Sequence, residues 1–211
     1  MTTADTSRMA PRASILSRNA GRITFWAGIL GTASGLLLAI RPPAVPVDQW
    51  SYPQPVLEYA LTQTWFAAQH LGLAVGIWGL WELTGRRNRI GFYAALGGML
   101  ALSLTELVAI IPATQPMDDP LVVALGAVYG VVTIVIGAGL VTMGVTALRC
   151  GALTGWRRWI PVSLGIWVFF PMLPGIAVSF LAARLTISGW MFLFAVLGWI
   201  LTRSEAVEDA T

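Results

Sequence analysis

The chain has 211 residues, of which 56% are hydrophobic and only 11% are charged, with a formal net charge of +3. Soluble domains carry about a quarter charged residues, and this composition therefore excludes an ordinary soluble domain. The positive charge does not indicate nucleic-acid binding, because the arginines are spread over several segments instead of forming one basic face.

Six apolar segments predict six membrane-spanning helices. Lipid offers no hydrogen-bond partner to a bare backbone, and a long apolar run must therefore cross as a helix of about 20 residues. The predicted spans are residues 23–40, 59–83, 90–111, 121–148, 159–181 and 187–202. We expect an all-α integral membrane protein, with a disordered segment at 1–20, one six-span domain at 21–203 and an acidic tail at 204–211.

The arginines predict the orientation of the spans, since short cytoplasmic loops are enriched in arginine. With six spans, most of the basic residues fall on the side of both termini: Arg8, Arg12, Arg18, Arg22, Arg86, Arg87, Arg89, Arg149, Arg157, Arg158 and Arg203. Only Arg41 and Arg184 fall on the other side. We therefore expect cytoplasmic N and C termini in a multi-pass protein of the cell membrane, and the use of arginine without lysine favours a bacterial inner membrane.

Small residues recur every four positions along three predicted spans, in the series Ala27, Gly31, Gly35, then Ala68, Gly72, Gly76, and then Gly126, Gly130. Such ridges let helices approach closely. They favour packing within the bundle, and homodimerisation through one ridge stays open as an alternative.

The first outer loop, residues 41–58, holds five prolines together with Trp50 and Tyr52. Proline removes backbone donors and disfavours helix, and we expect an extended segment whose aromatic rings lie near the lipid headgroups. This loop is the longest outer connection and the predicted lid, if the protein has one.

Ionisable residues are costly in lipid and therefore mark candidate sites in spans 2 and 3. His70 lies about ten residues into span 2, Gln63 shares its helix face, and Gln69 adds a second amide beside it. Glu106 lies near the outer end of span 3. A short turn joins the two spans, and antiparallel packing would bring His70 and Glu106 close enough to meet or to share a water.

Two features of spans 4 and 5 are predicted at a similar depth. Tyr129 lies about eight residues from the outer end of span 4. Span 5 carries Pro171 and Pro174, and proline kinks or breaks a helix. We expect a helix break there, which membranes tolerate where it faces protein or a water-filled cavity.

These residues predict a polar pocket in the outer half of the bilayer, for a small molecule or an ion. Its ligand-binding residues would be Glu106, His70, Gln63, Tyr129 and Gln69, with the break at Pro171 and Pro174 along the path. The alternative is a polar network that only fixes helix pairing, in a membrane scaffold or accessory subunit that binds lipid or another membrane protein.

The cytoplasmic turn before span 5 carries Trp156, Arg157, Arg158 and Trp159. Indole rings beside guanidinium groups are typical of a membrane-interface anchor, and we expect membrane lipids as partners here.

Several kinds of chemistry are disfavoured by the residues present. One histidine and one cysteine cannot by themselves make a tetrahedral zinc site, and no phosphate-binding Gly-Lys-Ser/Thr motif occurs. Neither a GxSxG motif nor a lysine for a Schiff base is present. We expect no cofactor and no metal, and a function that is not catalytic.

Overall fold

The computed structural model describes residues 15–204, with side chains described for 19–203, and this part of the chain is helical. The helices are α1 (Ile15–Ala39), α2 (Val56–Leu83), α3 (Arg89–Val108), α4 (Pro120–Cys150), α5 (Ile160–Trp167), α6 (Leu173–Val178) and α7 (Phe180–Ser204). A 3₁₀ turn at Gly155–Trp159 precedes α5, and a π-helical turn at Val168–Met172 joins α5 to α6.

Five helical stretches in the described residues are long and apolar enough to cross a membrane: Asn19–Ala39, Arg89–Val108, Pro120–Cys150, Gly155–Val178 and Phe180–Arg203. This confirms an all-α protein with the character of a membrane protein. Helix α2 has 28 residues and is long enough to cross a membrane. It is not among these five stretches, because its polar side chains lower its mean hydropathy.

The helices form a closed ring in chain order. Each helix packs against the next, and α7 returns to pack against α1 as well as α5 and α6. Helix α2 also touches α7 across the ring. Its position between α1, α3 and α7 buries half of its residues and explains how it can carry polar groups without exposing them to lipid.

Glycines set the closest helix crossings. A Cβ added at Gly28 of α1 would overlap the backbone of Ala195 on α7, and one at Gly198 of α7 would overlap the backbone of Phe25 on α1. In the ridge predicted on span 1, Gly31 and Gly35 also face α7. This ridge therefore serves packing within the chain, as small residues do in membrane helices.

The loop between α1 and α2 pairs with the loop between α3 and α4 to form a cap over one end of the ring. The backbone N–H of Trp50 donates to the carbonyl of Gln115 at 2.9 Å, and that of Met117 donates to Asp48 at 2.7 Å. The Trp50 indole donates to the carbonyl of Ala109 at 3.0 Å. The predicted extended loop is thus fastened across the turn that follows α3.

An ion pair closes the base of this cap. Arg41, after α1, donates two hydrogen bonds to the carboxylate of Glu58, in the first turn of α2, and Gln54 adds a third at 3.0 Å. These donors lower the pKa of Glu58 to about 2. The pair therefore holds the two ends of the loop together.

The interruption expected at Pro171 and Pro174 takes the form of a π-helical turn between α5 and α6 and not of a full break, because the chain stays helical through both prolines. Pro171 lies inside the π-helical turn, and Pro174 lies at the start of α6. A π turn is wider than an α turn and accommodates a residue that lacks an N–H donor and has a bulky ring. The full break is at Ser179, whose backbone is extended between α6 and α7.

Candidate polar site

The centre of the candidate site is the carboxyl group of Glu106, in the last full turn of α3 beneath the cap. The residue is only 8% exposed. The phenol of Tyr129, on α4, donates a hydrogen bond to Glu106 Oε2 at 2.9 Å. Gln63, on α2, lies behind it, and its amide nitrogen is 3.4 Å from the Tyr129 oxygen. Three helices thus converge on one carboxyl group.

His70 faces the other oxygen of the same carboxyl group. Its Nδ1 lies 3.9 Å from Glu106 Oε1, which is too long for a hydrogen bond. The residue is 4% exposed, and Nδ1 has no hydrogen-bond partner in the described residues. A buried polar atom without a partner is unusual and needs an explanation.

Arg184 is a member of the site that the sequence analysis missed, because it was assigned to an outer loop. The structure places it in the second turn of α7, where its guanidinium lies over the rings of Phe66 and Phe180. It interacts electrostatically with Glu106, and its Nε is buried without a hydrogen-bond partner in the described residues. A charge inside the apolar run that starts at Phe180 was the signal that could have found it.

Tyr59 is the second missed residue. It lies on α2, is 6% exposed, and its phenol oxygen accepts a hydrogen bond from the amide of Gln63 at 3.1 Å. It interacts electrostatically with Glu106 and Arg184. We refer to the six residues Tyr59, Gln63, His70, Glu106, Tyr129 and Arg184 as the Glu106 cluster.

Gln69 lies outside this cluster. Its amide points to α1, where it is 3.2 Å from the hydroxyl of Ser34 and next to the indole of Trp65. The residue follows Gln63 by six positions, and six steps of 100° turn it well away from the face that Gln63 and His70 share. The structure therefore assigns it to the contact between α1 and α2.

The cap supplies the outer wall of the cluster. The ring of Trp50 is centred 6.4 Å from that of Tyr129, and the ring of Tyr52 packs edge-on against Phe180 at 5.4 Å. Access to the cluster from the capped end of the ring therefore requires movement of the loop that carries these two aromatic residues.

The four predicted interface residues form one surface turn at the opposite end of the molecule. Trp156, Arg158 and Trp159 are exposed, and Arg157 is half-buried. The Arg158 guanidinium lies 5.3 Å from the centre of the Trp159 ring. This turn lies at the arginine-rich end of the ring, and the cap lies at the other end.

The chemistry of the Glu106 cluster is that of an acid with two basic groups beside it. Glu106 can bind a proton or a cationic group, while Arg184 and His70 offer nitrogens to an oxygen acceptor. No group of three metal-binding side chains occurs in residues 19–203. Comparison with protein-family models, with curated proteins and with solved structures gives no match for this chain.

Proposed function

We propose that this is a six-span membrane protein that binds a small polar ligand or an ion at the Glu106 cluster, taken from the side of the cap, and carries it through the bilayer. The observation that supports this most directly is a pair of buried nitrogens beside a buried carboxyl group, His70 Nδ1 and Arg184 Nε, neither of which has a hydrogen-bond partner among the residues that the structure describes.

In a polar network that is kept only for stability, each buried polar group would have a hydrogen-bond partner. Leaving a buried donor without a partner costs about 1–3 kcal/mol, and a half-satisfied network is less stable than an apolar core. Tyr59, Gln63 and Tyr129 are joined to one another or to Glu106, whereas the two basic side chains are not. A ligand oxygen or a water between these two side chains and Glu106 would supply their missing hydrogen bonds.

The sixth span of the proposal is α2. The turn at its end, residues 84–88, leads into α3, and α3 returns to the cap that also holds the loop before α2. Helices α2 and α3 therefore both run between the cap and the opposite end of the ring, and α3 is apolar enough to span a membrane. With six spans, the arginine-rich end and both termini face the cytoplasm, as expected for a bacterial inner-membrane protein.

The proposal is tested by transport into proteoliposomes that contain a pH-sensitive dye. Small solutes of three classes, namely carboxylic acids, amines and zwitterions, are added outside with and without an imposed pH gradient. We expect one class to give flux or a dye response that Glu106→Gln abolishes, while Glu82→Gln, which alters an acid at the other end of α2, leaves it intact. Equal responses from wild type and Glu106→Gln for all three classes would reject the proposal.

A second function is supported by the outer half of α4. Added Cβ atoms at Gly126 and Gly130 would meet nothing within 4 Å, and the neighbouring Val123 and Val128 are exposed. Such a small, apolar face suits contact with a second copy or another membrane protein, as a scaffold or accessory subunit requires. Cross-linking in native membranes that Gly126→Leu eliminates would favour this function.

A further inference from the structure

An apolar groove of about 210 Å³ lies on the outside of the bundle, towards its arginine-rich end. Phe25 and Ile29 of α1 and Phe192 and Val196 of α7 line its length, and Trp156 and Trp199 lie at its mouth. These residues belong to membrane-spanning stretches or to the turn beside them. The groove therefore opens onto the lipid bilayer, where an acyl chain is the occupant available everywhere.

The mouth of the groove carries two arginines that share one aromatic ring. The guanidinium of Arg203 lies 4.4 Å from the centre of the Trp199 ring, and that of Arg157 lies 5.4 Å from it. Trp156 stacks on the same ring at 6.1 Å. These contacts hold both cationic groups at the end of an apolar channel.

The positive charge at this mouth is not neutralised within the described residues, where no carboxylate pairs with Arg157 or Arg203. Two like charges beside one ring repel each other, and an anion between them would relieve that repulsion. Guanidinium groups match phosphate oxygens in both charge and geometry.

We propose that this groove is a binding site for an anionic phospholipid. The phosphate lies between Arg157 and Arg203, the headgroup contacts Trp156 and Trp199, and one acyl chain follows Phe25, Ile29, Phe192 and Val196 towards the middle of the bilayer. The site is independent of the Glu106 cluster, which lies under the cap.

The test uses quenching of tryptophan fluorescence by brominated lipids. The full chain is reconstituted in phosphatidylcholine vesicles that contain a minor fraction of either brominated phosphatidylglycerol or brominated phosphatidylcholine. We expect quenching to occur at a roughly tenfold lower fraction of the anionic lipid, the scale expected when two arginines each attract it. The double variant Arg157→Gln/Arg203→Gln should abolish this preference.

The matched control is the double variant Arg87→Gln/Arg89→Gln, which removes two exposed arginines from the same end but away from the groove. It should keep the preference, whereas Val196→Phe, which fills the groove without adding a tryptophan, should reduce quenching by both lipids. Equal quenching by the two lipids in wild type, or an equal loss in the control, would overturn the proposal. A preference seen only after Glu205, Glu208 and Asp209 are neutralised would assign the site to the chain's own tail and overturn it as well.

Discussion

Glu106 shows how a single buried carboxyl group organises residues from four helices. Tyr129 donates a hydrogen bond to it, while His70 and Arg184 approach it without one. Tyr129→Phe leaves the Glu106 carboxylate in place but removes the phenol that donates to it, whereas Glu106→Gln replaces the carboxylate with a neutral amide whose oxygen can still accept from Tyr129. Substitutions at Tyr129 and at Glu106 should therefore have different consequences.

Tyr129→Phe should lower the free energy of unfolding by about 1 kcal/mol, the scale of interhelical hydrogen bonds in membranes. The substitution keeps the ring and its packing against Trp50 but removes the donor to Glu106. The free energy is measured by reversible unfolding in mixed micelles.

The control for this prediction is Tyr93→Phe, since Tyr93 is 62% exposed and contacts Phe92 only through its ring. It should leave stability unchanged. A loss at Tyr93 as large as that at Tyr129 would show that the cluster is not the cause.

Glu58 lies at the base of the cap, in the first turn of α2 and just before the predicted span 59–83, and gives a pH dependence there. Its pKa is about 2 in the fold because Arg41 and Gln54 donate to the carboxylate, against about 4.3 in an unfolded chain. The pair therefore stabilises the fold above about pH 4.5, and this contribution is lost as pH falls towards about 2. The difference in melting temperature between wild type and Glu58→Gln should shrink from pH 6 to pH 3.

Asp118→Asn serves as the control for the Glu58 variant, because Asp118 is an exposed acid of the same cap. A difference between wild type and Glu58→Gln that stays constant over this pH range would contradict the role of the ion pair.

The sequence predicted much of the cluster for reasons that apply to single residues. His70, Gln63, Glu106 and Tyr129 are polar groups in apolar runs, and their depth and helix face indicated that they could meet. Gln69 was included by depth alone, although its neighbour His70 points about 100° away. Arg184 was missed because arginine was treated as a loop marker, whereas its environment depends on how α7 packs.

At the scale of elements, each of the six predicted spans overlaps a helical stretch of the described residues, five of these stretches are long and apolar enough to cross a membrane, and several bounds differ. Span 6 was predicted from residue 187, while α7 begins at Phe180. The prolines of span 5 were expected to break the helix, and the π turn absorbs Pro171 instead. Whether a helix widens or breaks depends on the neighbouring helices that hold it, which sequence spacing does not give.

Gly28→Ala should separate α1 from α7 and lower the free energy of unfolding by about 1–3 kcal/mol, the usual cost of overpacking. Its new methyl group would overlap the backbone of Ala195. Gly126→Ala is the matched variant on α4, where the space is open. It should be neutral or gain up to about 1 kcal/mol, because alanine is the better helix former. Equal losses in both would contradict the glycine contacts described here.

At the scale of the whole molecule, the ring of helices and its cap require α2 to cross between the two ends. Single cysteines introduced as Val47→Cys in the outer loop and Arg87→Cys after α2, both in a Cys150→Ser background, report this directly. A membrane-impermeant maleimide applied to intact cells should label the first and not the second. Labelling of both, or of neither, would mean that α2 does not span.

On the proposed function, the Glu106 cluster is kept for a ligand and not for the fold. We would first compare the free energy of unfolding of wild type with that of Glu106→Gln and His70→Gln between pH 5 and pH 8. Glutamine is close in volume to both residues, and its amide supplies one acceptor oxygen and an NH2 donor in place of the ionisable group. If the cluster is kept for a ligand, both variants should have a stability within about 0.5 kcal/mol of wild type, or above it. A loss of about 3 kcal/mol or more in both variants would make the cluster a structural network and contradict the account.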